Sequence, residues 1–224
     1  MSRSQTHASA LIDERGDTPL HRAAMNGDEA TLNALIAAGE PLNTRNKFQR
    51  TPLMLAATFN KPMCIRPLVN ASADIHAQDK DNFSALCFAA WSNCTDAVKV
   101  MLAAKASPSM LNRYKETPIV AAHKNKSLDA MKILADAVDA DGNNGVMLAV
   151  LGNQKDLLKQ LVEMNAFFNA TNNQGKTALI LAVLRKMHEN VQTLVAARAD
   201  VNITDNDGAT ALIYAACGDY VDIM

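Results

Sequence analysis

The sequence is poor in aromatic residues and carries almost no net charge. Aromatic residues fill only 4% of the 224 positions although 49% are hydrophobic, and alanine alone supplies 38 positions. This composition is unusual for an α/β enzyme, and it favours thin, closely packed helices rather than a thick core of large side chains. The 22 Lys and Arg residues against 23 Asp and Glu give a net charge of -1. No global basic field therefore predicts a nucleic-acid partner.

Membrane-spanning and secretory segments are also lacking. The chain has no window of about eighteen apolar residues, and its first ten residues, Met1 to Ala10, are polar. The four cysteines, at positions 64, 87, 94 and 217, form no C-x-x-C pair and show no regular spacing. We therefore expect a soluble protein in the reducing cytoplasm, without a membrane partner.

A short motif recurs along the chain in one frame, which is typical of repeat proteins. Its first copy reads Thr18-Pro19-Leu20-His21-Arg22-Ala23. The copies begin at Thr18, Thr51, Ser84, Thr117, Asn144, Thr177 and Thr210. Every step between them is 33 residues except the fourth, which is 27. A chance match cannot hold seven copies in one frame, so the chain is built from repeats.

Each of these positions of the motif has a structural role. The first residue is always Thr, Ser or Asn, the types that cap a helix N-terminus, and three copies follow it with proline, which suits the first helical turn. Two residues after the cap lies Leu, Ile or Val, and five after it always Ala, so one face of this helix is apolar and allows close approach. A second apolar stripe, such as Leu158/Leu161, lies fourteen and seventeen residues after the cap and predicts a second helix.

Turn-forming residues precede each cap. Two residues before it, Gly16, Gly142, Gly175 and Gly208 permit a positive φ. Five residues before it the chain always has Asp or Asn: Asp13, Asn46, Asp79, Asn112, Asp139, Asn172 and Asp205. Each repeat is therefore predicted to consist of a turn followed by two helices.

This pattern resembles the ankyrin repeat family. The stretch Thr18–His21 matches the family's T-P-L-H signature, and Gly39 and Ala73–Asp74 are similar to its G-A-D-V-N loop. The resemblance implies an all-α solenoid of about seven repeats, the last truncated, in which each repeat has two antiparallel helices and an outward β-hairpin. It covers residues 13–224, and we expect residues 1–12 to form an N-terminal capping segment.

The sequence departs from the family pattern at several points. The glycine before the cap is replaced by Gln49, Asn82 and Lys115, and the glycine that ends the second helix is replaced by Ser72, Lys105, Asn165 and Arg198. A non-glycine residue in the left-handed region costs on the order of 1 kcal/mol, so we expect an array softer than a consensus one. The short fourth repeat should flatten or twist the stack near residues 135–145. Because the seventh repeat stops at Met224, we expect a fragment of a longer protein.

The positions that the repeat leaves open show no catalytic pattern. No H-E-x-x-H, G-x-S-x-G, P-loop or G-x-G-x-x-G motif is present. We interpret Cys87 and Cys217 as small packing residues, and the Asp205/Asp207 pair as turn residues. The sequence therefore predicts a protein that is not an enzyme and has no cofactor and no metal site.

In the ankyrin family, partners usually meet the concave side, formed by the hairpin tips and the exposed face of the first helix. In this sequence five of the ten aromatic residues occupy such positions in three consecutive repeats, together with five basic and two acidic residues, Asp81 and Glu116. Aromatic residues and arginine are concentrated in interface hot spots. The predicted partner-binding residues are Lys47, Phe48, Arg50, Phe59, Lys80, Phe83, Trp91, Arg113, Tyr114 and Lys124.

These residues predict a monomeric protein–protein interaction module that serves a scaffold, an adaptor or a secreted bacterial effector acting in the host cytosol. The patch carries a formal charge of plus three, so its expected partner is a protein or extended peptide with acidic and apolar side chains. Three alternatives stay open. Rings interleaved with basic residues also bind single-stranded nucleic acid, Trp91 with Asp81 is typical of a methyl-lysine cage, and the chain could target a larger enzyme.

The family resemblance also implies a modification. Ankyrin loops are substrates of an asparaginyl hydroxylase that favours a leucine upstream of an acidic-aliphatic-Asn triplet. Leu194 with Asp200-Val201-Asn202 fits this pattern, and Leu68 with Asp74-Ile75-His76 fits it with histidine as the acceptor. The possible hydroxylation sites are therefore Asn202 and His76, although Asn202 could instead serve only to hold its loop by hydrogen bonds.

Overall fold

The structure is a computed structural model that describes residues 12–218, and within that range it contains thirteen short α-helices. No strand forms in those residues, where the only β-type pairing is an isolated antiparallel bridge between Gln78 and Ser84. The helices are α1 Pro19–Asn26, α2 Glu29–Ala37, α3 Pro52–Thr58, α4 Pro62–Asn70, α5 Ala85–Trp91, α6 Thr95–Ala103, α7 Pro118–Lys124, α8 Leu128–Ala135, α9 Gly145–Leu151, α10 Lys155–Glu163, α11 Ala178–Leu184, α12 His188–Ala196 and α13 Ala211–Cys217. None of these helices is long and apolar enough to cross a membrane.

The first helix of each repeat begins at the predicted cap. The cap side chain accepts a hydrogen bond from the backbone N–H three residues later at Thr18, Thr51, Ser84, Asn144, Thr177 and Thr210. Thr117 has the same extended backbone, with a φ of -77°, but its hydroxyl is buried without a hydrogen-bond partner in the described chain. The predicted capping is therefore confirmed in every repeat except the fourth.

Two compact units divide the chain between Ala130 and Met131, inside α8. In the N-terminal unit α1 packs on α3, α3 on α5 and α5 on α7, and the second helices α2, α4 and α6 pack in the same order. In the C-terminal unit α9 packs on α11 and α11 on α13, and α10 packs on α12. Each unit is thus a stack of helix pairs.

Alanines and leucines fill these stacks as the motif predicts. The alanine five residues after the cap is buried in every repeat, from Ala23 to Ala215, which allows the first helices to approach closely. The stripe of the second helices is buried as well, from Leu32 to Leu194, except that Leu35 is half-exposed. Because a solenoid core contains little besides these residues, functional side chains must lie at the turns and on the outer helix faces.

The turn before each cap has one geometry throughout. The Asp or Asn five residues before the cap accepts two backbone N–H bonds, as Asn46 Oδ1 does from Phe48 at 2.9 Å and Arg50 at 3.0 Å. Four turns also donate a backbone N–H to the turn of the preceding repeat, for example Lys47 to the Arg15 carbonyl at 3.0 Å. The predicted turn role of these polar residues is confirmed.

The left-handed backbone also falls where the sequence predicts it. All seven residues that replace a family glycine have a positive φ, between 55° for Asn165 and 70° for Ser72. A further set that the sequence did not indicate ends the first helices at Asn60, Asn93, Lys126, Asn153 and Lys186. The predicted capping segment 1–12 and the second helix of the seventh repeat lie outside the described residues, apart from Ile12.

Candidate functional site

Six aromatic rings come from the turns and first helices of the second, third and fourth repeats. We call them the ring surface: Phe48, Phe59, Phe83, Phe88, Trp91 and Tyr114. The turn before each first helix places Phe48, Phe83 and Tyr114, while Trp91 ends α5 and Phe59 follows α3. Four of the rings are large and exposed, with 40% of Trp91 and 62% of Tyr114 accessible. The turn geometry thus keeps these rings out of the core.

An open pocket of about 550 Å³ lies within the ring surface. Nine residues line it: Arg50, Asp79, Asp81, Phe83, Phe88, Trp91, Tyr114, Glu116 and Lys124. The structure therefore brings five of the ten predicted site residues together in one pocket. Of the others, Phe48 contacts the pocket residue Arg50 and Arg113 contacts Tyr114. Lys80 contacts Phe48, and Lys47 and Phe59 are exposed in the second repeat outside the pocket lining.

The rings of the pocket contact one another. Phe83 lies 5.4 Å from Phe88 and meets Tyr114 edge-on at 6.3 Å, both measured between ring centroids. Such pairs contribute about 0.5–1.5 kcal/mol beyond burial. The carbonyl of Trp91 accepts hydrogen bonds from Asn125 Nδ2 at 2.7 Å and Ser127 Oγ at 2.8 Å. This end of α5 is therefore held by the next repeat.

Phe88, which lies four residues after the cap, is a residue of the pocket that the sequence did not predict. The motif assigns no role to that position, yet the Phe88 ring is half-buried and lines the pocket. The same position holds Leu55 in the preceding repeat and Ala121 in the following one. A ring among smaller residues was the signal that could have identified it.

Three basic residues of the surface are paired with acidic ones. Arg50 Nε lies 3.5 Å from Asp79 Oδ2, Arg113 Nη1 lies 2.5 Å from Asp81 Oδ1, and Lys124 Nζ contacts Glu116 Oε1. A simple sum of charges therefore overstates the free positive charge of the patch. Within the described chain, Lys47 and Lys80 form no ion pair.

In each pair the basic side chain is the more exposed partner. The Arg50 side chain is 34% exposed against 2% for Asp79, and Lys124 is 55% exposed against 7% for Glu116. Asn112 Nδ2 also donates to Glu116 Oε2 at 2.9 Å, and the hydrogen bond to Asp81 raises the pKa of Arg113. A ligand therefore meets guanidinium and ammonium groups, while the carboxylates below hold them in place.

Cys87 matches its interpretation as a packing residue, whereas Cys217 does not. Cys87 is buried in α5, and desolvation raises the pKa of its thiol to about 12, so it is not ionised near neutral pH. Cys217 is exposed at the end of α13. Across residues 12–218 no three His, Cys, Asp or Glu side chains are grouped so that they could hold a metal ion.

The two candidate hydroxylation residues are both exposed. The backbone N–H groups of Asn202 and His76 donate to Asp200 and Asp74, each at 2.9 Å. In the preceding repeat Asn169 Oδ1 accepts a bond from the Asp200 N–H at 3.0 Å, but the amide side chain of Asn202 makes no hydrogen bond to the described chain. These loops are accessible, and the side chain of Asn202 does not hold its own loop in place.

Comparison with solved structures supports the helix-pair architecture. The crystal structure of the ankyrin repeat domain of Bcl-3, a member of the IkappaB protein family, matches with a TM-score of 0.55 and 27% identity over 94% of this chain and 99% of that one. The human ASB11 ankyrin repeat domain matches in fold, with a TM-score of 0.52 and 24% identity over 88% of this chain and 91% of that one.

Sequence relatives agree over about half of the chain. Neurogenic locus notch homolog protein 1 of Xenopus tropicalis is 37% identical over 108 residues, which are 48% of this chain and 4% of that protein. Inversin of Gallus gallus is 31% identical over 116 residues, 51% of this chain and 10% of that protein. The chain thus spans only a small part of the length of these relatives.

A family model described as ankyrin repeats in three copies matches the chain in overlapping windows. The windows are residues 4–79, 20–112, 53–145, 86–172 and 146–224. They include every repeat whose caps and turns are described above. The chain belongs to the ankyrin repeat family, whose repeats form a general protein–protein interaction module.

Proposed function

We propose that this chain is a recognition module that binds a partner protein on the ring surface. The observation that carries the proposal is the exposure of four large rings, 40–62% each, two of which, Trp91 and Tyr114, line one open pocket. Exposed apolar patches rimmed by polar residues mark interaction sites, and buried aromatic anchors supply most of the binding energy in such interfaces. Apolar side chains of the partner enter the pocket beside Phe83, Trp91 and Tyr114.

The proposed partner is a protein segment that also presents acidic side chains. The basic members of the ion pairs face solvent at the pocket edge, and Lys47 and Lys80 are exposed on the neighbouring turns. Charge complementarity of this kind steers association and suppresses wrong partners. We place the module, as a monomer, in the cytoplasm as the recognition arm of a scaffold, an adaptor or an effector delivered into a host.

A capture experiment tests the site. Immobilised wild-type chain and a Phe83→Ala/Trp91→Ala variant are incubated with cell lysate, and retained proteins are identified by mass spectrometry. A partner retained by the wild type and lost by the folded variant supports the proposal. Phe167→Ala is the matched control because its ring is 72% exposed but lies in the C-terminal unit. Equal capture by wild type and double variant would remove the ring surface as the site.

Trp91→Ala gives the quantitative prediction. Truncation of an interface tryptophan typically costs about 2 kcal/mol or more of binding free energy, so affinity for the captured partner should fall roughly thirtyfold. Stability should change little, because the inter-repeat hydrogen bonds at this residue use its backbone carbonyl. Titration calorimetry measures the first quantity, and urea unfolding followed by circular dichroism measures the second.

The alternatives give separate outcomes with the same protein. A fluorescent single-stranded oligonucleotide that binds wild type and is lost on Trp91→Ala would favour nucleic-acid stacking. A trimethyl-lysine peptide that binds more tightly than its unmethylated form would favour an aromatic cage. Either result without a protein partner would replace the proposed function.

We also propose Asn202 as a modification site, since its side chain is exposed and makes no bond to the described chain. Co-expression with an asparaginyl hydroxylase followed by peptide mass spectrometry tests this. The expected result is the addition of one oxygen atom to the Asn202 peptide. An unmodified peptide in wild type, with a known substrate modified in the same cells, would contradict it.

A further inference from the structure

Arg50 is held in an unusual position at the edge of the pocket. Its guanidinium carbon lies 4.5 Å from the centroid of the Phe88 ring and 5.7 Å from that of Phe48. Asp79, whose side chain is 2% exposed, lies below it, with Oδ2 at 3.5 Å from Arg50 Nε. Cation–π contact and the buried charge together fix the guanidinium where it faces the pocket.

The backbone of Arg50 is anchored at both ends. Its N–H donates to Asn46 Oδ1 at 3.0 Å, and its carbonyl is 2.9 Å from His21 Nε2 of the first repeat. Burial lowers the pKa of His21, so this imidazole is neutral at pH 7 and can donate from Nε2 to the carbonyl. The start of the side chain is therefore placed before any partner arrives.

The hydrogen-bond donors of this guanidinium are unused. A guanidinium carries five N–H donors, yet within residues 12–218 that of Arg50 makes no hydrogen bond, and its buried Nε has no partner of that kind. Neighbouring basic groups differ, since Arg113 donates to Asp81 and Lys124 to Glu116. Arg45 donates to two backbone carbonyls, those of Gln49 and Gln78.

We infer that Arg50 is the residue that selects the partner, by binding a carboxylate of an extended segment whose adjacent apolar side chain fills the ring pocket. A guanidinium binds carboxylates through two parallel N–H bonds, and stacking on a ring leaves its edges open for them. Asp79 leaves these donors available, because its Oδ2 lies 3.5 Å from Arg50 Nε without a hydrogen bond and its Oδ1 accepts the N–H groups of Asp81 and Phe83, each at 2.9 Å. This inference rests on the proposed function and adds the chemistry of its ligand.

A cationic ligand fits the same surface poorly. The face of Phe88 already holds Arg50, that of Phe48 has Lys80 Nζ at 5.6 Å, and that of Tyr114 has the Arg113 guanidinium at 5.5 Å. A methylated lysine would have to displace one of these cations or lie beside it. Three of the rings that could form a cage are therefore occupied by the chain's own basic residues.

The test uses the full chain and a displayed library of random dodecapeptides. Peptides retained by the wild type are synthesised, and their affinities are measured through the fluorescence of Trp91, the only tryptophan in the sequence and part of the pocket wall. We expect the selected peptides to carry Asp or Glu next to an apolar residue. Arg50→Gln should weaken their binding at least about tenfold, as expected for a hydrogen bond to a charged group.

Matched variants distinguish specific binding of a carboxylate by Arg50 from non-specific electrostatic attraction. Arg50→Lys keeps the charge but not the forked geometry, so it should restore only part of the affinity. Lys124→Gln removes a charge already paired with Glu116 and should change affinity less than Arg50→Gln. Peptides in which the selected Glu is replaced by Gln should bind wild type and Arg50→Gln equally. Urea unfolding of each variant confirms that it is folded.

Each contrary outcome has a distinct meaning. If acidic peptides bind Arg50→Gln as tightly as wild type, or if the selected peptides are basic, the role of Arg50 is wrong while the ring surface stands as a protein-binding site. If the wild type retains no peptide, the inference fails, and only the lysate experiment then decides the proposed function.

Discussion

The third and seventh repeats share one turn but use it differently. In both, an aspartate lies five residues before the cap and an aromatic residue four after it: Asp79 and Phe88 in one, Asp205 and Tyr214 in the other. In the seventh repeat Tyr214 donates its hydroxyl proton to Asp205 Oδ2 at 2.6 Å. That bond raises the pKa of Tyr214 to about 12 and satisfies the carboxylate locally. Phe88 has no hydroxyl, so Asp79 pairs with Arg50 of the preceding turn instead.

This difference shows how one frame gives two kinds of surface. In the C-terminal unit Tyr214 is the one aromatic residue at a position equivalent to the ring surface, and the other positions hold aliphatic, small or polar residues such as Leu151, Gly152 and Lys176. The turns of both units nevertheless close through the same side-chain bonds, as Asp79 and Asn172 illustrate. The frame is therefore independent of what the exposed positions carry, and it can be tested separately from them.

The largest expected effect comes from the shared core. Leu86→Ala in the N-terminal unit and Leu158→Ala in the C-terminal unit each remove a fully buried side chain. Each should lower the free energy of unfolding by about 2–5 kcal/mol, measured by urea unfolding. Leu212→Ala, at a residue that is 60% exposed, is the control and should cost less than about 0.5 kcal/mol. A large loss in only one unit would contradict a common frame.

The glycines before the caps should be the next most sensitive positions. Gly175 has a φ of +74°, and a Cβ there would lie 2.7 Å from the backbone nitrogen of Asn206. Gly175→Ala should therefore cost about 2 kcal/mol from backbone strain and contact together. Gly208 has a φ of +76° but nothing within 4 Å of such a Cβ, so Gly208→Ala should cost clearly less. Equal losses in urea unfolding would show that the contact between turns is unimportant.

Lys115 occupies the same position, two residues before the cap, in the N-terminal unit, and its replacement by glycine should raise the free energy of unfolding. Lys115 has a φ of 59°, and a lysine in that region costs roughly 1 kcal/mol. Lys115→Gly relieves this cost but makes the unfolded chain more flexible, so we expect a net gain of about 0.5 kcal/mol. Asn82→Gly should gain less, because asparagine tolerates the left-handed region. A loss of stability for Lys115→Gly in urea unfolding would contradict the strain argument.

The smallest expected effect is a pH dependence of the free energy of unfolding that comes from His21 in the first repeat. Desolvation lowers the pKa of His21 from its usual 6.5, so the unfolded chain binds the proton more readily than the folded one. This contribution to stability is present above pH 6.5 and is lost as the pH falls through that value toward the lower pKa of the folded state. His21→Met, which copies the residue found at Met54, should flatten the curve of unfolding free energy between pH 7 and 5. If the slope of unfolding free energy against pH is the same in His21→Met as in the wild type, the pH dependence does not come from His21.

The sequence predicts the frame well because the frame is local. Thr51, Asn46 and Gly175 act on backbone groups within five residues, so their spacing alone indicates a cap or a turn. The seven left-handed positions are predictable for the same reason, since each stands where the repeat requires a positive φ.

The site is less predictable because its interactions are distant in sequence. The pairing of Arg50 with Asp79 spans 29 residues, and the contact of Arg50 with Phe88 spans 38. The positions within the repeat predict that the rings and basic residues lie on the same side of the protein. They cannot show which carboxylate pairs with which basic side chain. The formal charge of plus three therefore described the patch incompletely, and Phe88 was absent from the predicted site.

The bonds between neighbouring turns have a consequence for the history of the chain. The N–H of Lys47 reaches the carbonyl of Arg15, and that of Arg113 reaches Asp81, each at 3.0 Å. A duplicated segment of 33 residues would carry both the donor and the acceptor of this bond, so an inserted copy could join its neighbours at once. The exposed positions of the copy would then be free to diverge. Aromatic residues could therefore accumulate at the exposed positions of some repeats and not of others.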